Sequence, residues 1–134
     1  MSRQTTASKL VLSASGDTSP SGSIFVKDFK SIVIALAIAD GDTGGAGTST
    51  VKFKGAISDD KPTFTSAQSG SNRWDYVQCN DLQSGTAING DTGVAFTDND
   101  VRLVEINVNG LTWLDISAVT TVGYVTAEWV GFYE

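Results

Sequence analysis

The stretch Ser31-Ile32-Val33-Ile34-Ala35-Leu36-Ala37-Ile38-Ala39 decides the fold class. Large side chains fall at 32, 34, 36 and 38, with Val33 and then alanines between them. A period of two belongs to extended chain, whose successive side chains point to opposite faces. The large residues therefore supply one face of a core. The small face suits close approach by another element or subunit. The apolar run from Ile32 to Ala39 is far shorter than the roughly twenty residues of a membrane-spanning helix, so no membrane partner is expected.

Working outward, Val51-Lys52-Phe53-Lys54-Gly55-Ala56-Ile57 alternates again, with Val51, Phe53 and Ile57 inward and both lysines toward water. Near the end, Val125, Ala127 and Trp129 share one face, and Tyr124, Thr126 and Glu128 share the other. No long window holds a helical apolar period, and fourteen glycines interrupt most of them. Strands are expected near Lys9–Ala14, Ile24–Val26, Ser31–Ala39, Thr50–Ser58, Trp74–Asn80, Gly93–Phe96, Val101–Val108, Leu111–Thr120 and Tyr124–Phe132. Eight or nine strands make an all-β, antiparallel sandwich of jelly-roll-like type. A length of 134 residues suits one domain, read as residues 9–134 behind a polar arm, residues 1–8.

One connection is specific. Asn109-Gly110 lies between two β-rich runs and predicts a two-residue hairpin that pairs Val108 with Leu111 and Ile106 with Trp113. The Gly-rich segment from Ala39 to Ser49 reads as an exposed loop. Phe64 stands as an apolar anchor in the long connection from Ser58 to Arg73, which should pack back on the sandwich.

Composition narrows the function. The chain has no histidine, so it lacks the commonest general base and metal ligand, and no Ser-His-Asp triad can form. An enzyme is not expected. A net charge of −6 with scattered lysines and arginines disfavours a nucleic-acid partner. Gly41-Asp42-Thr43-Gly44-Gly45-Ala46-Gly47 is followed by no Gly-Lys-Ser/Thr, so it is no phosphate loop, and no cofactor is expected. The Asp-rich turns at 40, 42, 59, 60, 91, 98 and 100 read as backbone-bonding turns and not as a calcium site. Glu105, Asp115 and Glu128 read as carboxylates on solvated sheet faces. The lone Cys79 cannot form an internal disulfide and reads as a small core side chain. Met1 to Thr6 leads into no apolar run, so no export leader is expected.

Aromatic residues carry the binding signal. Trp74, Tyr76, Trp113, Tyr124, Trp129 and Tyr133 could form a sugar-stacking platform or anchors at a protein interface. Trp74 and Tyr133 are the candidates for exposure.

One string runs through the middle of the chain: Ile57-Ser58-Asp59-Asp60-Lys61-Pro62-x-Phe64 and Ser71-Asn72-Arg73-Trp74-Asp75-Tyr76-Val77-Gln78. It continues through Asp81-Leu82-x-Ser84-Gly85-Thr86-Ala87-Ile88-Asn89-Gly90-Asp91-Thr92-Gly93. It ends with Asp100-Val101-Arg102-x-x-Glu105-Ile106-Asn107-x-Asn109-Gly110-Leu111-x-Trp113. In these residues the chain resembles small virion proteins of tailed bacteriophages. The likeness spans residues 57 to 113, under half the chain, and brings no catalytic residues with it. It implies a virion component made in the bacterial host cytoplasm. Among such proteins it implies most closely a capsid decoration (cement) protein, commonly a trimer, bound to the major capsid protein on the shell exterior. Arg3, Gln4, Thr5 and Thr6 of the arm then become interface candidates, since a polar segment can gain order on a capsid surface. A head–tail completion, tail or fibre-associated part, or a carbohydrate-binding sandwich on the particle, are the other readings.

Overall fold

The computed structural model describes residues 9–12, 21–39, 47–97, 100–121 and 124–133. The described elements are all strands: β1 (Lys9–Leu12), β2 (Ser21–Phe25), β3 (Ser31–Ala39), β4 (Thr48–Ala56), β5 (Asp75–Tyr76), β6 (Cys79–Asp81), β7 (Ala87–Ile88), β8 (Val94–Thr97), β9 (Val101–Asn107), β10 (Trp113–Thr120) and β11 (Tyr124–Phe132). They form two antiparallel sheets. The first runs β1-β11-β3-β9-β6-β7, and the second runs β2-β10-β4 with β5 and β8 sharing the far edge of β4. The all-β sandwich is as the alternation predicts. No helix among the described residues is long and apolar enough to cross a membrane.

The core lies between the sheets. Ile32, Ile34 and Leu36 of β3 are fully buried, with Ile38 close behind. Val104 and Ile106 flank them from β9, and Val125, Ala127 and Trp129 from β11. The second sheet answers with Val51 and Phe53 of β4, Leu114 and Ile116 of β10, and Ile24 of β2. Each large aliphatic side chain removed from water contributes about 2 kcal/mol, so this interior is what holds the layers together. Cys79 is part of it, 3% exposed. Two edge strands, β5 and β7, are only two residues long, which leaves little free backbone to recruit another strand.

Three expectations need correction. The strand expected over Trp74–Asn80 is broken: Asp75–Tyr76 pairs with β4 in one sheet, and Cys79–Asp81 pairs with β9 in the other. This division, with the short β7, raises the count among the described residues to eleven strands. Ile57, expected inward with Phe53, is 74% exposed because β4 ends at Ala56.

The Asn109-Gly110 turn forms but joins no hairpin. Leu111 N donates to Val108 O at 2.9 Å, and Gly110 holds the positive φ of 96° that the tight turn requires. The arms then separate. Val108 N donates to Lys30 O of the first sheet's end, whereas Thr112 N donates to Ala56 O beside the second. Strand β9 pairs with β3 and β6, and β10 pairs with β2 and β4. Both arms carry an apolar face, Val104-Ile106-Val108 and Leu114-Ile116-Ala118. Stacking these faces across the core buries both, which pairing them side by side does not demand. The turn is an arch between sheets.

Candidate interaction surfaces

The two outer faces of the sandwich are finished differently. Over the second sheet lies the chain's own segment 57–74. Phe64 is 5% exposed and packs with Ala56 and Trp74 in a second apolar cluster, against which Tyr76 and Trp113 also rest. Asn72 organises the loop: its Oδ1 accepts from Thr63 N at 2.9 Å, and its Nδ2 donates to Thr63 O and Ala67 O at 3.0 Å. Trp74 Nε1 donates to Ser66 O at 3.0 Å, and Gln68 Nε2 donates to Trp74 O at 2.7 Å. Lys54, expected toward water, reaches from β4 under this loop. It donates to Phe64 O at 2.7 Å and places its ammonium 4.4 Å from the centre of the Trp74 ring.

The same cover explains Asp115. Its outward position on β10 predicts a solvated carboxylate, yet it is 4% exposed. It stands in register with Ser23 on one side and Lys54 on the other. Burial raises its pKa above the usual carboxylate value, opposed by the Ser23 hydroxyl donating to Oδ1 at 3.1 Å and by the charges of Lys54 and Lys61. Glu105 and Glu128 lie in the other sheet, so the three carboxylates do not face one another.

Beside the end of β4, where the chain passes from β5 toward β6, a surface cleft of about 830 Å³ is lined by Ile57, Arg73, Trp74, Gln78, Asn109 and Leu111 among others. Arg73 is tied to the loop through Nε to Gly70 O at 2.8 Å, and Asp75 Oδ1 accepts from Tyr76 N and Gln68 Nε2. Its charged groups therefore already serve the local fold. Among the described residues no three His, Cys, Asp or Glu come together as a metal site.

The outer face of the first sheet is bare by comparison. On β3 it presents Val33, Ala35 and Ala37, all half-buried. Ala35 is in register with Leu103 and Ala37 with Val101 on β9. Val101 is 65% exposed, Leu103 47% and Leu82 46%, and Leu82 N donates to Leu103 O at 3.0 Å, bringing the two leucines side by side. Glu105 stands opposite Val33, and Glu128 opposite Ala35. The inward register on β9 holds Arg102, whose Nη1 donates to Gln83 Oε1 at 2.7 Å and lies 3.6 Å from Asp81 Oδ2 at the end of the core.

The predicted site residues are thus dispersed. Trp74 is 9% exposed beneath the loop, a correction to its reading as an interface anchor: its ring is used in the second cluster and only an edge reaches the cleft. Tyr133 is 37% exposed, stacked on Phe29 at 4.8 Å between ring centres. Trp129 is buried edge-on to Phe29, and Trp113 is half-buried edge-on to Phe25 at 5.1 Å, so these rings form no common platform. Arg3, Gln4, Thr5 and Thr6 lie outside the described residues. Sequence reasoning missed Leu82, Val101 and Leu103. A signal for them exists in Val101-Arg102-Leu103-Val104-Glu105-Ile106, which is apolar on both faces of one strand.

The sequence matches no family model and no curated protein. Among solved structures, the fold is similar to that of the SPBc2 prophage-derived protein YomS, with a TM-score of 0.68 at 10% sequence identity. The likeness covers 98% of this chain and 96% of that one, and it establishes a shared fold.

Proposed function

We propose that the chain is a tailed-phage virion protein that binds the outer capsid shell and reinforces it. The observation that carries this reading is the correspondence, over 98% of the chain, with the fold of a prophage-derived protein. The resemblance of residues 57–113 to phage virion proteins points the same way. A decoration protein works by adding weak contacts at many equivalent sites, and repetition converts these into a strong lattice. On this reading the partner is the major capsid protein, the chain assembles as a trimer, and its place is the capsid exterior. The role is adhesion and not catalysis: the chain has no histidine, and its strand carboxylates are parted between sheets. The sugar-binding alternative loses its main support, since the tryptophans expected to stack on a sugar are engaged within the fold.

The test is stoichiometry and stability of purified particles. A copy number comparable to the major shell protein, with earlier heat rupture of particles lacking the chain, supports a cement role. A dozen or fewer copies moves the chain to a connector or tail.

A further inference from the structure

We infer that the outer face of the β11-β3-β9 layer is the docking surface, and that its occupant is a protein surface bearing arginine or lysine beside apolar side chains. This rests on the proposed virion role and names the face that meets the shell.

Isolated exposed apolar residues are ordinary, but contiguous ones mark an interaction site. Leu82, Leu103 and Val101 stand together along one side of a shallow trough floored by Ala35 and Ala37. Small residues on a central strand let a partner's side chains come close to the backbone. On the opposite outer face Phe64 and Trp74 of the chain itself cover the Ala56 and Trp113 end, and the apolar residues left exposed, Phe25 and Val119, stand apart.

Charge selects the occupant. At the outward positions of β3, β6, β7, β9 and β11 the charged residues are Glu105 and Glu128, one on each side of β3, and no lysine or arginine is among them. A second copy laid face to face would add two more carboxylates and no cation to a contact that excludes water, which is unfavourable. A partner with cations flanking its apolar residues satisfies both glutamates, and arginine is enriched at such interfaces. The area sets the strength. Three strands about 4.8 Å apart, β3 and β11 of nine residues and β9 of seven, present on the order of 400 Å², about half of what one partner contributes to a stable standard interface. Each contact is therefore weak alone and depends on repetition across a lattice.

The experiment mixes full-length chain with capsid shells assembled without it and measures co-sedimentation. Leu103→Asp should bind at least tenfold more weakly, while Val119→Asp, exposed on the second sheet, should bind as wild type. Wild-type binding should weaken as salt rises, and the double variant Glu105→Gln, Glu128→Gln should bind less and lose most of that salt dependence. Unchanged melting temperatures for all variants separate docking from folding. If Leu103→Asp binds as well as wild type, the inference falls and the virion reading stands. If Leu103→Asp instead dissolves a wild-type dimer in free solution, the occupant is a second copy and the inference also falls. Absence of wild-type binding, with no chain on native particles, overturns the virion reading and the partner named here together.

Discussion

Replacing Phe64 by alanine removes the one buried side chain between Ile57 and Arg73, and the expected loss can be worked from its surroundings. Phenylalanine-to-alanine changes in a packed core cost about 3–5 kcal/mol. Here the ring meets Ala56 and Trp74 within, but Tyr76 and Trp113 are only half-buried, and the loop can settle toward the sheet. The lower end, about 3 kcal/mol, is therefore expected. Unfolding entropy near 2.1 cal/mol/K per residue over 134 residues gives about 0.28 kcal/mol/K, so Tm should fall by about 10 °C. The Lys54 ammonium keeps its acceptor, since that acceptor is the backbone carbonyl of residue 64, but it loses the loop's fixed position over the Trp74 ring. Thermal unfolding followed by far-ultraviolet circular dichroism reads the first effect. Amide exchange reads the second: Ser69 and Asn72, which bond each other's backbone, should lose protection while the β3 amides keep theirs. A fall in Tm below about 3 °C, with unchanged exchange at Ser69 and Asn72, would refute the account of the second cluster.

Three further outcomes follow from packing and protonation. A Cβ at Gly131 would lie 2.6 Å from the Phe29 ring, which Trp129 and Tyr133 hold in place, so Gly131→Ala should lower stability by about 1–3 kcal/mol in denaturant titration. Asp115 has a raised folded pKa, so its protonated form favours folding; that stability is present below the unfolded value and lost as pH rises through the folded one. Asp115→Asn, which keeps an acceptor for Ser23, should therefore gain Tm relative to wild type between pH 3.5 and pH 7, and a constant difference would contradict the assignment. Burial, with Asp81 nearby, pushes the Cys79 thiol up to about 11, so it should resist a thiol reagent at pH 8 until the chain unfolds, and stability should fall as pH rises from about 9 through 11.

The fold was legible wherever one face of a strand was uniformly large. Ile32-Ile34-Leu36-Ile38 and Val125-Ala127-Trp129 state their orientation in the residues alone, and the structure buries them as read. The Asn109-Gly110 turn was legible as a turn but not as an arch. Local chemistry fixes the sign of φ at Gly110, while the choice between pairing and stacking rests on Lys30 and Ala56, which are distant in sequence. Asp115 was misread for a related reason. Alternation places it outward correctly, but whether outward means wet depends on a loop that crosses the strand from more than fifty positions away. Trp74 shares that cause. The Phe64 anchor, read from one apolar residue in a polar connection, was the clue that such a cover existed.

That cover separates stability from adhesion. On the second sheet's outer face Trp74, Lys54 and Asp115 are engaged under the chain's own loop with Phe64, and the large apolar residues still exposed there, Phe25 on the edge strand and Val119 near the end of β10, stand apart. The first sheet's outer face keeps exposed Val101 and Leu103 that add almost nothing to the core. If this division is right, the two kinds of variant must behave oppositely. Phe64→Ala, assayed well below its lowered Tm, should still bind shells, because the trough of Ala35 and Ala37 lies across the core from the damage. Leu103→Asp should melt with the wild type and fail to bind. A surface patch that governed folding would show both losses in each variant, since misfolding cannot spare adhesion. Opposed losses are what a sandwich produces when it carries its support on one side and its contact on the other.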